Sequence, residues 1–380
     1  MSARRTSPRL VGAAVAVLVA VLSVLSAPPP ASAAGPEPTP PAQAGRELTG
    51  ASYNLFLGGD IGSLVTAPTV PEFIARAAAL WQNVQATDFP ARADAIAALL
   101  AQDHPDVVGL QEVANWEATS LTGSPVPSYD FLEILLDALA EQGTPYRAVA
   151  TNTNFVSPVV PIAPLGVALK FTDRDVVLVR SGSAGGTVHA TNPQAHTFQA
   201  GIPVQLPAPL PAIRVVRGWS TVDVKVDGAT VRFANTHLEA FSGLVRNLQG
   251  VELASSLATS PYPVVLAGDL NSQPTDSGGA YGSMQSIGLA DAWSVAEGPA
   301  GGFTSGQTDP LTNVPSQIDH RIDYVLYDPD GSPGLRALDA EVLGEELDDR
   351  ATSTVTGTPR LLWPSDHAGV VATFGVGRPL

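Results

Sequence analysis

The sequence predicts an α/β protein made of packed sheets with helices outside them, rather than one purely parallel sheet. Short apolar runs alternate with segments of helical period, yet Asp227-Gly228 between two such runs is a tight hairpin signal. Hydrophobic residues make up 44% of the 380 residues and charged residues 15%, so a sizeable core is available. Gly (35) and Pro (34) are abundant, which calls for many turns and long loops around that core.

The N-terminal segment stands apart from this pattern. Arg4, Arg5 and Arg9 precede an apolar run over 10–27, and Ala31-Ser32-Ala33 supplies a small-x-small cleavage pattern. Residues 1–33 therefore read as a secretory signal peptide, with an uncleaved membrane anchor as the alternative for a run of this length. Residues flanking Arg4-Arg5 give little support to a twin-arginine signal. Residues 34–46 are rich in Pro, Ala and Gly and read as a flexible tether, leaving 47–380 for the folded body.

Within the body, 52–57 reads as a strand. A helix opens at Asp88-Phe89-Pro90, with Asp88 as cap and Pro90 in the first turn, and carries Ala93, Ile96, Leu99 and Leu100 on one face. A buried strand follows over 106–110 and an amphipathic helix over 131–139. Strands are expected at 166–171, 175–180 and 213–226. The last turns at Asp227-Gly228 into another over 230–235. A helix over 244–257, a buried strand over 263–267 and strands over 322–327 and 368–374 complete the order; the Pro-rich stretch 189–211 reads as a long connection. No internal repeat is visible, which argues against a solenoid or propeller.

With no cysteine, disulfides, Cys-ligated zinc and thiol catalysis are excluded. The formal charge of −16 becomes −19 once the three arginines of the signal segment are removed. Such acidity opposes non-specific binding to nucleic acid or anionic lipid and is compatible with an enzyme that recruits divalent cations.

One pattern recurs: an apolar strand runs out and delivers polar residues at its C-terminal end. Val107 to Leu110 leads to Gln111-Glu112, Val231 to Ala234 to Asn235-Thr236-His237, and Val264 to Gly268 to Asp269-Leu270-Asn271; Ser365-Asp366-His367 precedes the final strand. Repeated strand ends of this kind suggest one shared cleft. Asp269 and Asn271, like Asn235 and His237, are two apart and share a side of an extended backbone, whereas the adjacent Asp366 and His367 belong on a turn. Oxygen donors of this type suit a hard divalent cation, and histidines can supply protons or hydrogen bonds to a phosphoryl oxygen. Phosphoryl transfer needs little beyond positioning and charge neutralisation, so the set matches phosphoester better than peptide hydrolysis.

At these residues the chain resembles the endonuclease/exonuclease/phosphatase superfamily. Tyr53-Asn54, Leu110-Gln111-Glu112-Val113, Asn235-Thr236-His237-Leu238, Gly268-Asp269-Leu270-Asn271-Ser272, Arg321-Ile322-Asp323-Tyr324-Val325-Leu326 and Ser365-Asp366-His367 match its motifs in order. The resemblance implies a four-layer sandwich, two face-to-face mixed β-sheets flanked by helices, with the cleft at one edge. It implies Mg²⁺ held by Glu112 with Asn54 nearby, Mn²⁺ or Ca²⁺ being alternatives. Asp269 is similar to the residue that positions or deprotonates the attacking water, and Asn271 would hold phosphoryl oxygens. His237 and His367 resemble the two catalytic histidines, Asp323 would orient a histidine, and Asp366 would orient a histidine or contact the metal.

Each residue also has a plainer reading. Glu112 could be a strand-end surface charge, Asp269 and Asn271 a turn or helix cap, and His237 a hydrogen-bonded core histidine; Arg321 could pair with Asp319 or Asp323. His104, His189, His196 and His320 belong to no motif. A phosphate-contacting residue from mid-chain is expected by resemblance, and Lys170, Arg174 and Asp175 lie in that region without a firm motif. The expected activity is that of a secreted phosphodiesterase or endonuclease-type hydrolase, acting as a monomer without an obligate protein partner. Its substrate would be a nucleic acid, lipid headgroup or small phosphate ester. A nuclease should show a basic groove, for which Arg214, Arg217, Arg232 and Arg246 are the material. A sphingomyelinase or phospholipase C-like enzyme should show an apolar docking loop, for which 202–213 offers no aromatics. A small-molecule phosphatase and a non-catalytic binding protein on the same fold complete the alternatives.

Overall fold

Alternation along the strands assigns each side chain to a layer, since residues two apart share a face. In the computed structural model, which describes residues 46–182, 188–276 and 278–377, this sorting gives three apolar layers. Leu48, Val107, Val177, Phe233, Val265, Val325 and Phe374 meet between two sheets. Ala51, Tyr53, Val108, Leu110 and Leu178 point the other way, against Phe73, Trp81, Ile96, Leu100 and Leu135. Those partners come from helices Val70–Ala86, Phe89–Asp103 and Phe131–Glu141. On the far side, Ala234, Leu266, Tyr324 and Leu326 pack on Leu253, Leu257 and Met284 of helices Gly243–Leu257 and Ala280–Ser286. The architecture is thus helix, sheet, sheet, helix.

The nine-stranded sheet runs Leu335–Leu343, Gly369–Val376, Arg46–Asn54, Val107–Gln111, Val167–Arg180, Asn115–Ser120, Tyr129–Asp130, with Tyr146–Val156 and Val160–Ile162 also on Val167–Arg180. The six-stranded sheet runs Ala290–Asp291, Asp323–Tyr327, Val264–Asp269, Ala229–His237, Gly218–Val226, His189–Thr197. Each of these two sheets is antiparallel except for one central parallel pair: Arg46–Asn54 with Val107–Gln111, and Ala229–His237 with Val264–Asp269. A parallel pair needs a crossover, here helical in both cases, and it brings two C-terminal ends to one edge. Register sets Asn54 beside Gln111, His237 beside Asp269, and Asp269 opposite Asp323.

Several boundaries differ from expectation. The first strand is Arg46–Asn54 and ends at Asn54, because Phe56 turns to φ 55°. Arg46 therefore belongs to a strand rather than to the tether, while 1–45, where the signal peptide and the rest of the tether are expected, lie outside the described residues. The runs 166–171 and 175–180 form one 14-residue strand, since Thr172, Asp173, Arg174 and Asp175 all keep strand pairing despite their polarity. The run 213–226 breaks into Ile213–Val215 and Gly218–Val226, and the 189–211 stretch holds strands His189–Thr197 and Ile202–Val204. Asp88 occupies the N-cap position in a left-handed conformation without a side-chain cap bond. Among the described residues no helix is long and apolar enough to cross a membrane.

Candidate active site

The inward-facing positions that carry Val265 and Ala267 end on Asp269, and those that carry Phe233 end on Asn235 and His237. The same parity turns Asn54 and Gln111 inward at the end of the facing sheet. Polar bonds join the sheets here: Gln111 Nε2 donates to Asn235 Oδ1 (2.7 Å), and Asn235 Nδ2 donates to the Leu110 carbonyl (3.0 Å). Gly109 permits this approach, because a Cβ there would lie 2.6 Å from Asn235 Oδ1. Asn54 Nδ2 crosses to Asp269 Oδ2 (3.1 Å).

Asp269 Oδ2 is the focus. Besides Asn54 it has His237 Nε2 at 3.5 Å and His367 Nδ1 at 3.9 Å, while Oδ1 accepts the Asn271 amide N–H (2.8 Å). Asn271 turns to φ 47°, and its Nδ2 donates to the Leu238 carbonyl (3.0 Å). Burial first, then the Asp323 charge, lifts the Asp269 carboxyl to about 7 against the pull of His367, Asn271 and Asn54.

The two histidines sit in opposite environments. Arg217 Nη1 lies 3.1 Å from His237 Nδ1, and a guanidinium can only donate, so Nδ1 is the acceptor and the proton sits on Nε2. Burial and the Arg217 charge hold His237 well below the usual histidine range. For His367 burial works against the charged form, but Asp323 and Asp366 outweigh it and hold the ring well above that range. Asp323 Oδ2 is 2.8 Å from His367 Nδ1, which leaves Nε2 facing Ser305 Oγ at 3.5 Å. Thr304 Oγ1 accepts the Ile322 and Asp323 amides, and the Thr304 carbonyl accepts the Ala368 N–H, so this loop braces the pair.

Glu112 sits at φ 53°, half-buried, with Oε2 accepting the Leu57 N–H (2.8 Å) and Oε1 free of any described hydrogen bond. Asn54 Oδ1 accepts the Phe56 N–H (3.0 Å), so one turn after the first strand holds both side chains. Burial, then Asp366 and Asp173, push the Glu112 carboxyl up to about 7. Asp366 is raised by burial too, and accepts from Ser365 Oγ (3.3 Å). Asp323 Oδ1, Asp173 Oδ1 and Asp175 Oδ1 are buried without a hydrogen-bond partner. Clustered carboxylates with free oxygen lone pairs fit a hard divalent cation, which would offset their repulsion. Asp269, Asp323 and His367 also bring ligand atoms within 4.8 Å of one another. Asp323 Oδ2 and His367 Nδ1 are already committed to each other, however, whereas Glu112 Oε1 has no described hydrogen bond and Asn54 Oδ1, which accepts once from the Phe56 N–H, keeps a second lone pair; these two are the more open donor set.

All eight residues singled out in the sequence, Asn54, Glu112, His237, Asp269, Asn271, Asp323, Asp366 and His367, come to this one edge. A further group gathers beside them: Arg217 stood out in the sequence only as groove material and Asp175 only without a firm motif, while Asn152, Asn154 and Asp173 were not singled out. Arg217 is nine-tenths buried and pairs with Asp173 (2.9 Å). Asn154 Nδ2 donates to Asp175 Oδ2 (2.9 Å), and Asn152 Nδ2 donates to Asn154 Oδ1 (2.6 Å). Their signal was polar residues two apart within otherwise regular strands, Asn152-Thr153-Asn154 and Asp173-Arg174-Asp175. Lys170 pairs with Glu117 (2.7 Å) and Arg174 with Asp130 (2.6 Å). Arg321 pairs with Asp291 rather than with Asp319 or Asp323, because its side chain turns toward strand Ala290–Asp291. The four arginines offered for a basic groove are taken up separately: Arg232 by Asp223, Arg246 by the Glu239 and Ala240 carbonyls, Arg214 by the Gln199 carbonyl, and Arg217 by Asp173.

Two facing mixed sheets with an acid–histidine cluster at their strand ends define a four-layer α/β sandwich with a polar site at one edge. The chain belongs to the endonuclease/exonuclease/phosphatase family, whose model matches residues 51–367. Members of this family are metal-dependent phosphoesterases. Human nocturnin is 25% identical over 288 residues, covering 71% of this chain and 54% of its own length; rat nocturnin is 27% identical over 160 residues, 40% and 36%. The chain thus spans about half or less of the length of these curated relatives. Among solved structures, a family protein from Bacteroides thetaiotaomicron has a TM-score of 0.53 at 19% identity, covering 86% of this chain and 94% of that one. A mannosyl-6-phosphatase from Bacteroides thetaiotaomicron VPI-5482 has a TM-score of 0.52 at 19% identity, covering 86% and 99%. At these identities the structures share the fold.

Proposed function

We propose that the chain is a Mg²⁺-dependent phosphodiesterase-type hydrolase that directs water in line at phosphorus, and that it acts as an exported monomer once 1–33 is removed. The observation that carries this is the convergence of Asn54, His237 and His367 on Asp269 Oδ2. A carboxyl lifted to about 7 accepts a proton from water near neutral pH, so Asp269 is the general base. His237, neutral with its proton on Nε2, donates a hydrogen bond to a phosphoryl oxygen. Asn271 adds the second N–H of its amide, the first being held by Leu238. His367, kept protonated by Asp323, presents Nε2 to the phosphoryl group and neutralises charge there or protonates the leaving oxygen. Asp366 contributes negative charge that favours the His367 imidazolium. Glu112 and Asn54 would hold the metal, which when bound withdraws charge from the phosphoryl oxygens.

The test is the purified protein assayed with Mg²⁺ on DNA, RNA, sphingomyelin, inositol phosphates and bis(p-nitrophenyl) phosphate, beside His237→Ala. Turnover lowered at least about a hundredfold by the variant supports the reading; no turnover of any substrate favours a binding protein. Glu112→Gln should also lose the Mg²⁺-induced rise in Tm, a readout that needs no activity.

A further inference from the structure

Strand Val167–Arg180 keeps one face along its whole length, and that face changes character twice. Val179 and Val177 enter the core between the sheets, Asp175 and Asp173 enter the polar site, and Phe171 and Leu169 form the wall of a cavity. The cavity, about 100 Å³, is lined almost wholly by apolar side chains, among them Phe73, Leu80, Trp116 and Val160. Its polar end is Asp173 and Arg217, the pair whose guanidinium also meets His237. On the neighbouring strand a register shift between Thr153 and Phe155 re-aims the chain, so that Asn154 faces the carboxylates while Phe155 lines the cavity. Short helix Gly62–Val65 supplies Leu64 and Val65 at the other side, and the exposed Phe241 ring lies against Gly62.

We propose that this cavity receives the hydrocarbon chain of a phosphoester substrate, the phosphorus standing at the acid–histidine cluster and the chain running past Asp173 and Arg217 along the same strand face. The proposal rests on the phosphoester-hydrolase reading above and adds the substrate class. Apolar cavities of this order stay dry and take hydrocarbon, whereas a nucleobase would bury polar edges against a lining that offers few partners. The absence of a shared arginine set among the described residues points the same way, since a polynucleotide needs basic residues along its track.

Binding of alkylphosphonates from methyl to octyl to the full chain, measured by calorimetry with and without Mg²⁺, tests the cavity without turnover. Affinity should rise about fourfold per methylene over the first carbons and then level off as the chain outgrows the space. Ala77→Leu, which fills the cavity from helix Val70–Ala86, and Leu64→Trp, which blocks it from its half-buried side, should each flatten the series and leave the methyl compound's affinity unchanged; two variants guard against one that misfolds. Equal affinity from methyl to octyl, no binding of any member, or tighter binding of adenosine monophosphate than of hexylphosphonate would overturn the proposal. A parallel rate series on p-nitrophenyl alkyl phosphates separates the two readings. Chain-dependent binding without hydrolysis sinks the hydrolase reading alone, and hydrolysis indifferent to chain length sinks the cavity proposal alone.

Discussion

His237 and His367 approach the same carboxylate oxygen in opposite protonation states, and their second ring contacts explain why. Arg217 caps the lone pair of one; Asp323 holds the proton of the other. Removing His237 takes away one neutral hydrogen-bond donor, so His237→Ala should lower kcat by roughly 10²- to 10³-fold with circular dichroism unchanged. Asp323→Asn acts through its neighbour. With that charge gone the His367 imidazolium loses its main support, so the alkaline limb of the kcat/KM profile should move to lower pH; an unmoved limb would remove Asp323 from the argument. His237 was legible in the sequence because it sits where an apolar run stops, His367 because it stands just before the final strand, and Asp323 because Arg321 to Leu326 matches a motif of the resemblance. Asn152, Asn154 and Asp173 were not, and Arg217 stood out only as a groove cation, because they lie within strands or beside a strand start, where polarity looks like ordinary solvent alternation. Only the pairing of the sheets turns those faces inward.

The turn after the first strand depends on one buried arginine. Arg92, on helix Phe89–Asp103, donates to the carbonyls of Leu55 (2.8 Å), Phe56 (3.1 Å), Thr87 (2.8 Å) and Pro364 (2.8 Å). Burial lowers its pKa to about 10, still far above neutrality. It therefore fastens the turn that holds Glu112 to the loop that carries Asp366 and His367. Arg92→Met would orphan four buried acceptors, each costing about 1–3 kcal/mol, so a loss of at least about 4 kcal/mol is expected in urea unfolding. Sequence patterns read an apolar helix face here without this residue, since a guanidinium among Ala93, Ile96 and Leu100 looks like a solvent-side position. Helix Val70–Ala86 and strand Leu335–Leu343 went unread for a related reason: their apolar residues are interleaved with small or charged ones, and tertiary packing decides which face is inside.

For the whole molecule, the excess of buried carboxylate couples folding to protons and to the cation. Glu112 and Asp269 both titrate at about 7 when folded, above their unfolded values, so the native state holds protons more tightly than the unfolded chain. Stability from this source is full below the unfolded carboxyl range, about pH 4, and is lost as pH rises through 7. A cation needs the ionised forms. The Mg²⁺-dependent rise in Tm should therefore be small at pH 5.5 and large at pH 8; equal shifts at both would contradict a carboxylate site. The layer order itself could be anticipated from the motifs, but the nine- and six-stranded split could not, because it depends on which hairpins curl onto Val167–Arg180.

Strand Gly369–Val376 lies inside the nine-stranded sheet, between Leu335–Leu343 and the strand that begins the described residues. A nascent polypeptide consequently cannot close its larger sheet until Gly369–Val376 has left the ribosome and reached its partner Arg46–Asn54, more than three hundred positions upstream. For the same reason, a cut just before Gly369 would remove an interior strand rather than shorten a border.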